Sequence, residues 1–257
     1  MERAMNPLLM SVIVFACVLG GTLLGMVLRK RLPQHHLSGA TKDVVRLGTG
    51  LISTIAALVL GLLIASANGT YDTQSTQIQQ LTANVVVLDR ILAQYGPEAD
   101  SARSLLRRTV AGMADRIWRE NRSDARTTEP FQASTTGLLF YDQILNLSPQ
   151  TDAQRSLQAK AIDTAENLAK TRLLLFAEAG RTIPMPFLVV LISWLAIIFA
   201  SFSLFADNNA TTVIALAIFA LSASASIFLI LELSQPFTGL MTISSEPLRN
   251  ALGPLGQ

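Results

Sequence analysis

Cysteine, histidine and charged residues are scarce in this sequence, and each shortage excludes a class of protein. A single cysteine among 257 residues rules out a scaffold built on disulfides. Two histidines and one cysteine cannot assemble a conventional zinc site. Charged residues make up 15% of the chain and the net charge is +2, so no nucleic-acid surface or acidic tail is indicated. We expect neither a metal nor a nucleic-acid partner.

Sequence motifs of catalysis and cofactor binding are also missing. The chain contains no phosphate-binding loop, dinucleotide fingerprint or nucleophile elbow. His35 and His36 are adjacent, so they cannot share one face of a helix. We therefore predict that the protein is not an enzyme and has no catalytic, cofactor-binding or metal-binding residues.

Long apolar runs are what the sequence has in abundance. Half of the residues are hydrophobic and the mean hydropathy is +0.42, which is typical of a membrane protein. Four runs without a charged residue are long enough to cross a bilayer as helices: 7–28, 47–67, 183–205 and 210–231. The basic cluster Arg29-Lys30-Arg31 follows the first run instead of preceding it, so we interpret that run as a retained span and not a secretory signal.

The chain between the second and third runs has a different character. Residues 68–182 carry acidic and basic side chains in balance, as a soluble helical domain does. The predicted fold is therefore all-α. A first transmembrane hairpin occupies 1–67, a helical bundle occupies 68–182, and a second hairpin with a short tail occupies 183–257. No strong helix breaker separates span two from the bundle, so we expect one long helix across this boundary.

Apolar residues at heptad spacing open the helical domain. They step by three and four residues, which places them on one helix face. This face either packs against the domain's own helices or forms an oligomer seam around a symmetry axis. The seam residues are Ile78, Leu81, Val85, Leu88 and Leu92.

Small residues form a second pattern, along span two. Such residues let helices approach closely in a membrane. One interpretation is packing inside a four-helix bundle, and the other is that span two faces a symmetry axis and lines a narrow pore. The candidate residues are Gly50, Ser53, Thr54, Ala57, Gly61 and Ala65.

A lone carboxylate, Glu232, ends the fourth run. An ionisable group at this depth indicates a functional site unless it reaches water at the membrane surface. Pro236, Phe237 and Gly239 predict a tight return of the chain beside it, which would hold it against protein. We expect a basic donor for it, with Arg181 or Arg249 as the candidates.

Five stretches that span nearly the whole chain match a known family when taken together: "LPQHHLS", "GLISTIAALVLGLLIASA", "LDRILAQYGPEA", "PFLVVLISWLAIIFASFSLFADNNAT" and "LILELSQPFTGLMTISSEPLRNAL". On these residues the sequence resembles the DUF4239 family of membrane proteins, also called bestrophin-like. Ser234 stands where family members usually have an acidic residue, so the resemblance does not extend to a two-carboxylate site.

The resemblance implies a homo-oligomeric ion channel, a ring of five subunits with two hairpins each and a helical domain that extends the pore. Its partners would be membrane lipids, further copies of the chain and small inorganic ions. The alternative function is a membrane-anchored sensor or scaffold whose helical insert binds a ligand or a partner protein.

Two indications about the orientation in the membrane oppose each other. Five Lys or Arg residues in the short loop 29–46 favour a cytoplasmic loop, and thus an extracytoplasmic helical domain, in a bacterial inner or plasma membrane. The bestrophin arrangement implies the reverse. We expect the extracytoplasmic placement.

Overall fold

A computed structural model describes residues 6–33, 39–123, 135–179, 183–207 and 209–253, and within these ranges the chain is helical without strands. Four of the helices are long and apolar enough to cross a membrane, namely Pro7–Arg31, Gly39–Tyr95, Met185–Phe205 and Ala210–Leu233. The predicted all-α fold with four spans is confirmed. In chain order the helices are α1 (Pro7–Arg31), α2 (Gly39–Tyr95), α3 (Asp100–Ser123), α4 (Thr135–Leu145), α5 (Asp152–Ala179), α6 (Met185–Phe205), α7 (Ala210–Leu233) and α8 (Glu246–Ala251).

Local sequence signals set several helix ends. Asn6 precedes α1, and its side-chain oxygen accepts a hydrogen bond of 3.1 Å from the backbone N–H of Leu8. Asn209 caps α7 in the same way through Thr212, at 2.8 Å. Gly96 follows α2 with a φ of 121°, a conformation that favours glycine, and a short 3₁₀ turn leads into α3. As predicted, α2 is one long helix that contains both span two and the seam.

The chain divides into two compact units. The membrane unit comprises Met1–Gly69 and Thr182–Ser234, and the helical unit comprises Thr70–Arg181 and Gln235–Gln257. Helix α2 contributes to both. His35, His36 and Arg181 lie outside the described residues.

In the membrane unit, α1 and α6 run parallel at short distance. A Cβ added to Gly21 would lie 2.5 Å from the carbonyl oxygen of Ala196, so the two backbones are almost in contact. One turn further along both helices, a Cβ on Gly25 would collide with Ala200. Two glycines on α1 thus allow a close crossing that larger residues would prevent.

An ion pair closes the same end of the membrane unit. Arg29, at the end of α1, donates to the Asp207 carboxylate beyond α6 at 2.8 Å. This hydrogen bond and the positive charge of Arg29 hold the pKa of Asp207 below its ordinary value. Because α7 returns from this end, it runs antiparallel to α1, and Ser224 of α7 donates to the Ser11 carbonyl oxygen at 2.6 Å.

The helical unit is built around the apolar face of α2. The seam residues Ile78, Leu81, Val85, Leu88 and Leu92 are buried in one core with residues of α3, α4 and α5 from the same chain. Packing against helices of the same chain therefore buries the seam. Its side chains leave no surface free for a neighbouring subunit, because 2% or less of each remains exposed.

A buried ion pair joins α2 to α3. The Arg103 guanidinium donates to both carboxylate oxygens of Asp89, at 2.9 and 3.1 Å. Both side chains are only 11% exposed. The hydrogen bond to Asp89 raises the pKa of Arg103 despite its burial. This bidentate pair fixes the angle of the turn that Gly96 begins.

The segment after α7 makes a turn, whereas the position of this turn beside Glu232 stays a prediction. Gly239 has a φ of 98°, and the N–H of Ile243 donates to the Pro236 carbonyl oxygen at 2.7 Å. The Trp118 indole of α3 donates to the Ile243 carbonyl oxygen at 2.9 Å and meets the Phe237 ring edge-on at a centroid distance of 5.9 Å. The segment thus completes the core of the helical unit.

Candidate functional site on helix α2

The small residues of span two lie on an open face of the single chain. Gly50, Thr54, Ala57, Gly61 and Ala65 are all exposed. A Cβ placed on Gly50 or on Gly61 would meet no atom within 4 Å. We call this face, together with the half-buried Ser53 at its edge, the small-residue stripe. It runs along most of the apolar length of α2, and no described residue of the same chain packs against its glycines.

Hydroxyl groups in the stripe are bonded within the helix itself. Ser53 donates to the Thr49 carbonyl oxygen at 2.8 Å, and Thr54 donates to that of Gly50 at 3.0 Å. Such back-bonding satisfies the hydroxyl donor and leaves the oxygen lone pairs available. The stripe therefore offers weak acceptors and no fixed charge.

The rest of α2 shows how the helix is held. Ala56, on the side turned away from the stripe, is 4% exposed and belongs to the core of the membrane unit. Leu58 and Leu62 are 69% and 70% exposed on a face next to the stripe. At 100° per residue, α2 thus presents one packed face, one leucine face suited to lipid or a neighbour, and one face of small residues.

The glycines of α1 provide an internal contrast. Gly21 and Gly25 have the four-residue spacing of Ala57, Gly61 and Ala65, but the close approach of α6 uses them fully. Packing within the chain therefore explains the pattern in α1 and leaves the same pattern in α2 unexplained.

Glu232 lies in the last turn of α7 and is 2% exposed. Burial of an ionisable side chain to this extent is uncommon and requires polar partners. Arg249, one of the two predicted donors, forms its ion pair with Asp115 at 3.5 Å. The other candidate, Arg181, lies outside the described residues. Glu232 is on a different helix from the stripe and is not part of that exposed face.

Several polar contacts were not predicted from the sequence. Ser224 pairs with Ser11, which is 213 residues away, and Arg103 pairs with Asp89 across a turn. A serine in a membrane span gives no sign of whether it bonds to its own helix or to another. The Asp89 and Arg103 pair left a weak signal, because a carboxylate between apolar seam positions needs a partner. Within the described residues, no group of three His, Cys, Asp or Glu side chains could hold a metal ion.

Comparisons with known proteins identify the class. The Bestrophin-like domain matches residues 16–248, which is most of the chain. The protein therefore belongs to the Bestrophin-like domain family. No curated protein matches this sequence.

Solved structures agree in fold over almost the full length. A variant of a bacterial bestrophin homologue from Klebsiella pneumoniae superposes with a TM-score of 0.67 at 16% identity, covering 96% of this chain and 99% of that one. A second variant gives 0.69 at 15% identity, covering 98% and 96%. The same homologue solved by Zn-SAD phasing gives 0.63 at 16% identity, covering 92% and 97%. At these identities the likeness shows the fold.

Proposed function

We propose that the protein is a homo-oligomeric ion channel of a bacterial inner or plasma membrane, in which the small-residue stripe of α2 faces the symmetry axis. The observation that carries this is the open stripe on a membrane-spanning helix. Among the described glycines of the spans, those of α1 at the α6 crossing are packed, whereas Gly50 and Gly61 are open. Membership of the Bestrophin-like domain family supports the same function.

The chemistry of the stripe fits a narrow neutral pore. Small side chains leave room beside the helix backbone, and the lone pairs of Ser53 and Thr54 can replace part of an ion's hydration shell. With no charge along the stripe, discrimination between ions rests on pore width and weak dipoles, which suits small inorganic ions. The neighbouring leucine face of Leu58 and Leu62 would contact lipid or the adjacent subunit. We infer a ring of five subunits and a place in the DUF4239 branch from the sequence resemblance.

Matched leucine substitutions test the channel. Gly61 and Gly20 both have open space around a new Cβ, but only Gly61 belongs to the stripe. In reconstituted vesicles we expect Gly61→Leu to reduce ion flux at least tenfold or to lower the subunit count, whereas Gly20→Leu should match the parent in both. The subunit count is measured in lipid particles by native mass spectrometry.

The outcomes separate the candidate functions. A monomeric parent protein, or equal flux through all three proteins, would remove the pore along α2. An oligomer that leaves vesicles tight would instead favour the membrane-anchored sensor or scaffold.

Membrane orientation is a separate part of the proposal. The basic loop 29–46 supports a cytoplasmic loop and an extracytoplasmic helical domain. A cysteine introduced at Ser123, in a background with Cys17→Ser, should then react with an impermeant maleimide on intact cells. Reaction only after permeabilisation would reverse the orientation and leave the channel proposal standing.

A further inference from the structure

A small basic cavity lies in the helical unit, between α3, α4 and α5. Its volume is about 110 Å³, and residues of α3, α4 and α5 line it. Three of the lining residues are arginines, namely Arg108, Arg116 and Arg172, and the described lining includes no carboxylate. Three guanidinium groups around one cavity create a positive potential that an anion would relieve.

Two of these arginines have no acidic partner among the described residues. Arg108 and Arg116 form neither an ion pair nor a side-chain hydrogen bond with that part of the chain. They lie eight residues apart on α3, so about two helical turns place them on one face. Arg172 of α5 stacks over the Phe176 ring, with its guanidinium carbon 5.6 Å from the ring centroid. This stacking orients the Arg172 group beside the cavity.

A buried hydroxyl provides a second observation that points to a ligand. Thr109 lines the same cavity, and its Oγ1 atom is buried and has no hydrogen-bond partner among the described residues. A buried polar atom without a partner is rare in native proteins and calls for an explanation. Thr136 of α4 adds a second hydroxyl to the lining. An acceptor-rich ligand would satisfy these donors together with the guanidinium groups.

We propose that this cavity is a binding site for a small oxyanion, with a phosphate group as the best match. Guanidinium groups bind phosphate oxygens through paired hydrogen bonds, and a tetrahedral oxyanion can also accept from the threonine hydroxyls. The volume suits a single small anionic group, since a cavity of about 150 Å³ accommodates a ligand the size of benzene. A halide would fill less of the space and could not use the planar geometry of the guanidinium groups. The proposal is independent of ion conduction through α2.

Gly112 is a suitable position for a substitution that blocks the cavity. It lines the cavity, and a Cβ added there would meet no atom within 4 Å. A leucine at this position would therefore meet no clash at the wall of the cavity, and replacing glycine inside a helix favours folding. Gly112→Leu should keep the protein folded while blocking the site. Arg107 offers a matched charge control, because it is exposed on α3 beside Arg108 but does not line the cavity.

The test uses the full chain in lipid particles, with inorganic phosphate as the probe and sodium chloride at equal ionic strength as the reference. We expect phosphate to raise the Tm in a saturable way and to bind once per chain in equilibrium dialysis. Arg116→Gln should weaken binding about tenfold or more, because it removes a charged hydrogen bond. Gly112→Leu should abolish binding with an unchanged or higher Tm, and Arg107→Gln should bind as the parent does.

Three results would overturn the site. Chloride could raise the Tm as much as phosphate, which would indicate general screening. Arg107→Gln could weaken binding as much as Arg116→Gln, which would indicate a diffuse surface effect. The parent could also bind no phosphate in dialysis. None of these results depends on ion flux, so the site and the channel succeed or fail separately.

Discussion

The helices within the membrane unit and the helices within the helical unit pack through opposite kinds of residue. In the membrane unit, Gly21 and Gly25 bring α1 against the backbone of α6, and Ser224 adds a hydroxyl bond between α7 and α1. In the helical unit, large side chains such as Leu81 and Leu88 fill a core around a buried ion pair. The contrast follows from the solvent, since lipid supplies no hydrophobic force between helices whereas water does.

The contrast also indicates which surface or charged groups in each unit are available for a further partner. A small-residue face without a partner in the membrane unit is an unused packing surface, which is the basis of the proposed axis along α2. Arg108 and Arg116 in the helical unit have no carboxylate partner among the described residues, and their charge is the basis of the proposed oxyanion site. Both proposals therefore rest on features that packing within the single chain does not explain.

The largest expected effect comes from the buried ion pair of the helical unit. Arg103→Met leaves the Asp89 carboxylate buried without its bidentate partner, and we expect the free energy of unfolding to fall by about 3–5 kcal/mol. Thermal unfolding in detergent, followed by tryptophan fluorescence, measures the loss. The exposed Arg107→Met is the control, with an expected change within about 0.5 kcal/mol.

The double variant Asp89→Leu with Arg103→Met sharpens this result. Because it removes both charges, it should recover much of the lost stability. If Arg103→Met and Arg107→Met unfold alike, the ion pair contributes nothing and the contrast between the two units loses half of its basis.

The next largest effect belongs to the glycine crossing of the membrane unit. A single methyl group on Gly25 would collide with Ala200 of α6, so Gly25→Ala should destabilise the protein by about 1–3 kcal/mol. The same change at Gly61 meets no atom of its own chain and should leave the protomer stable. Unfolding of both variants in a detergent that keeps the chain monomeric gives the comparison. Equal losses at the two positions would show that α2 is as closely packed as α1.

Glu232 gives an effect of the same order on stability, with a more specific readout. As a buried carboxylate it accepts hydrogen bonds, so Glu232→Leu should cost about 1–3 kcal/mol by leaving a donor without its acceptor. Glu232→Gln keeps an acceptor and should lose less. Under the channel proposal, Glu232→Gln should also alter ion flux in reconstituted vesicles. If Gln and Leu both match the parent in Tm and flux, Glu232 is not a site.

The helices can be predicted from the sequence, but the helices that pack against them cannot, for a physical reason. Hydropathy and length determine that the four spans are helices, because no other structure satisfies its backbone in lipid. The heptad pattern of α2 showed that Leu81 and Leu88 share an apolar face, but periodicity does not reveal which helix covers that face. The same holds for small residues, since Gly21 and Gly61 look alike until the structure shows α6 beside only one of them.

Polar partners were harder still to predict. The cavity arginines Arg108 and Arg116 resemble an ordinary solvated helix face in the sequence, because cavities depend on three helices meeting. Contacts such as Arg29 with Asp207 join residues 178 positions apart, and no local pattern encodes them.

That last contact gives the smallest expected effect and the only one that depends on pH. Asp207 lies outside the spans, and its pKa is below the ordinary 3.8 because Arg29 donates a hydrogen bond to the carboxylate, with Lys42 nearby. A carboxyl group whose pKa is lower in the folded state adds stability that is complete above its unfolded pKa. That stability is lost as the pH falls through the folded pKa.

The Tm of Asp207→Asn should therefore lie slightly below that of the parent at pH 7, by at most about 2 °C, since the pair is exposed and screened by salt. The difference should shrink below about pH 4 and in high salt. Asp43→Asn, an exposed change with no such pair, controls for the loss of one charge at this end. A Tm difference that stays constant from pH 7 to pH 3 would show that the pair does not join α1 to the end of α6.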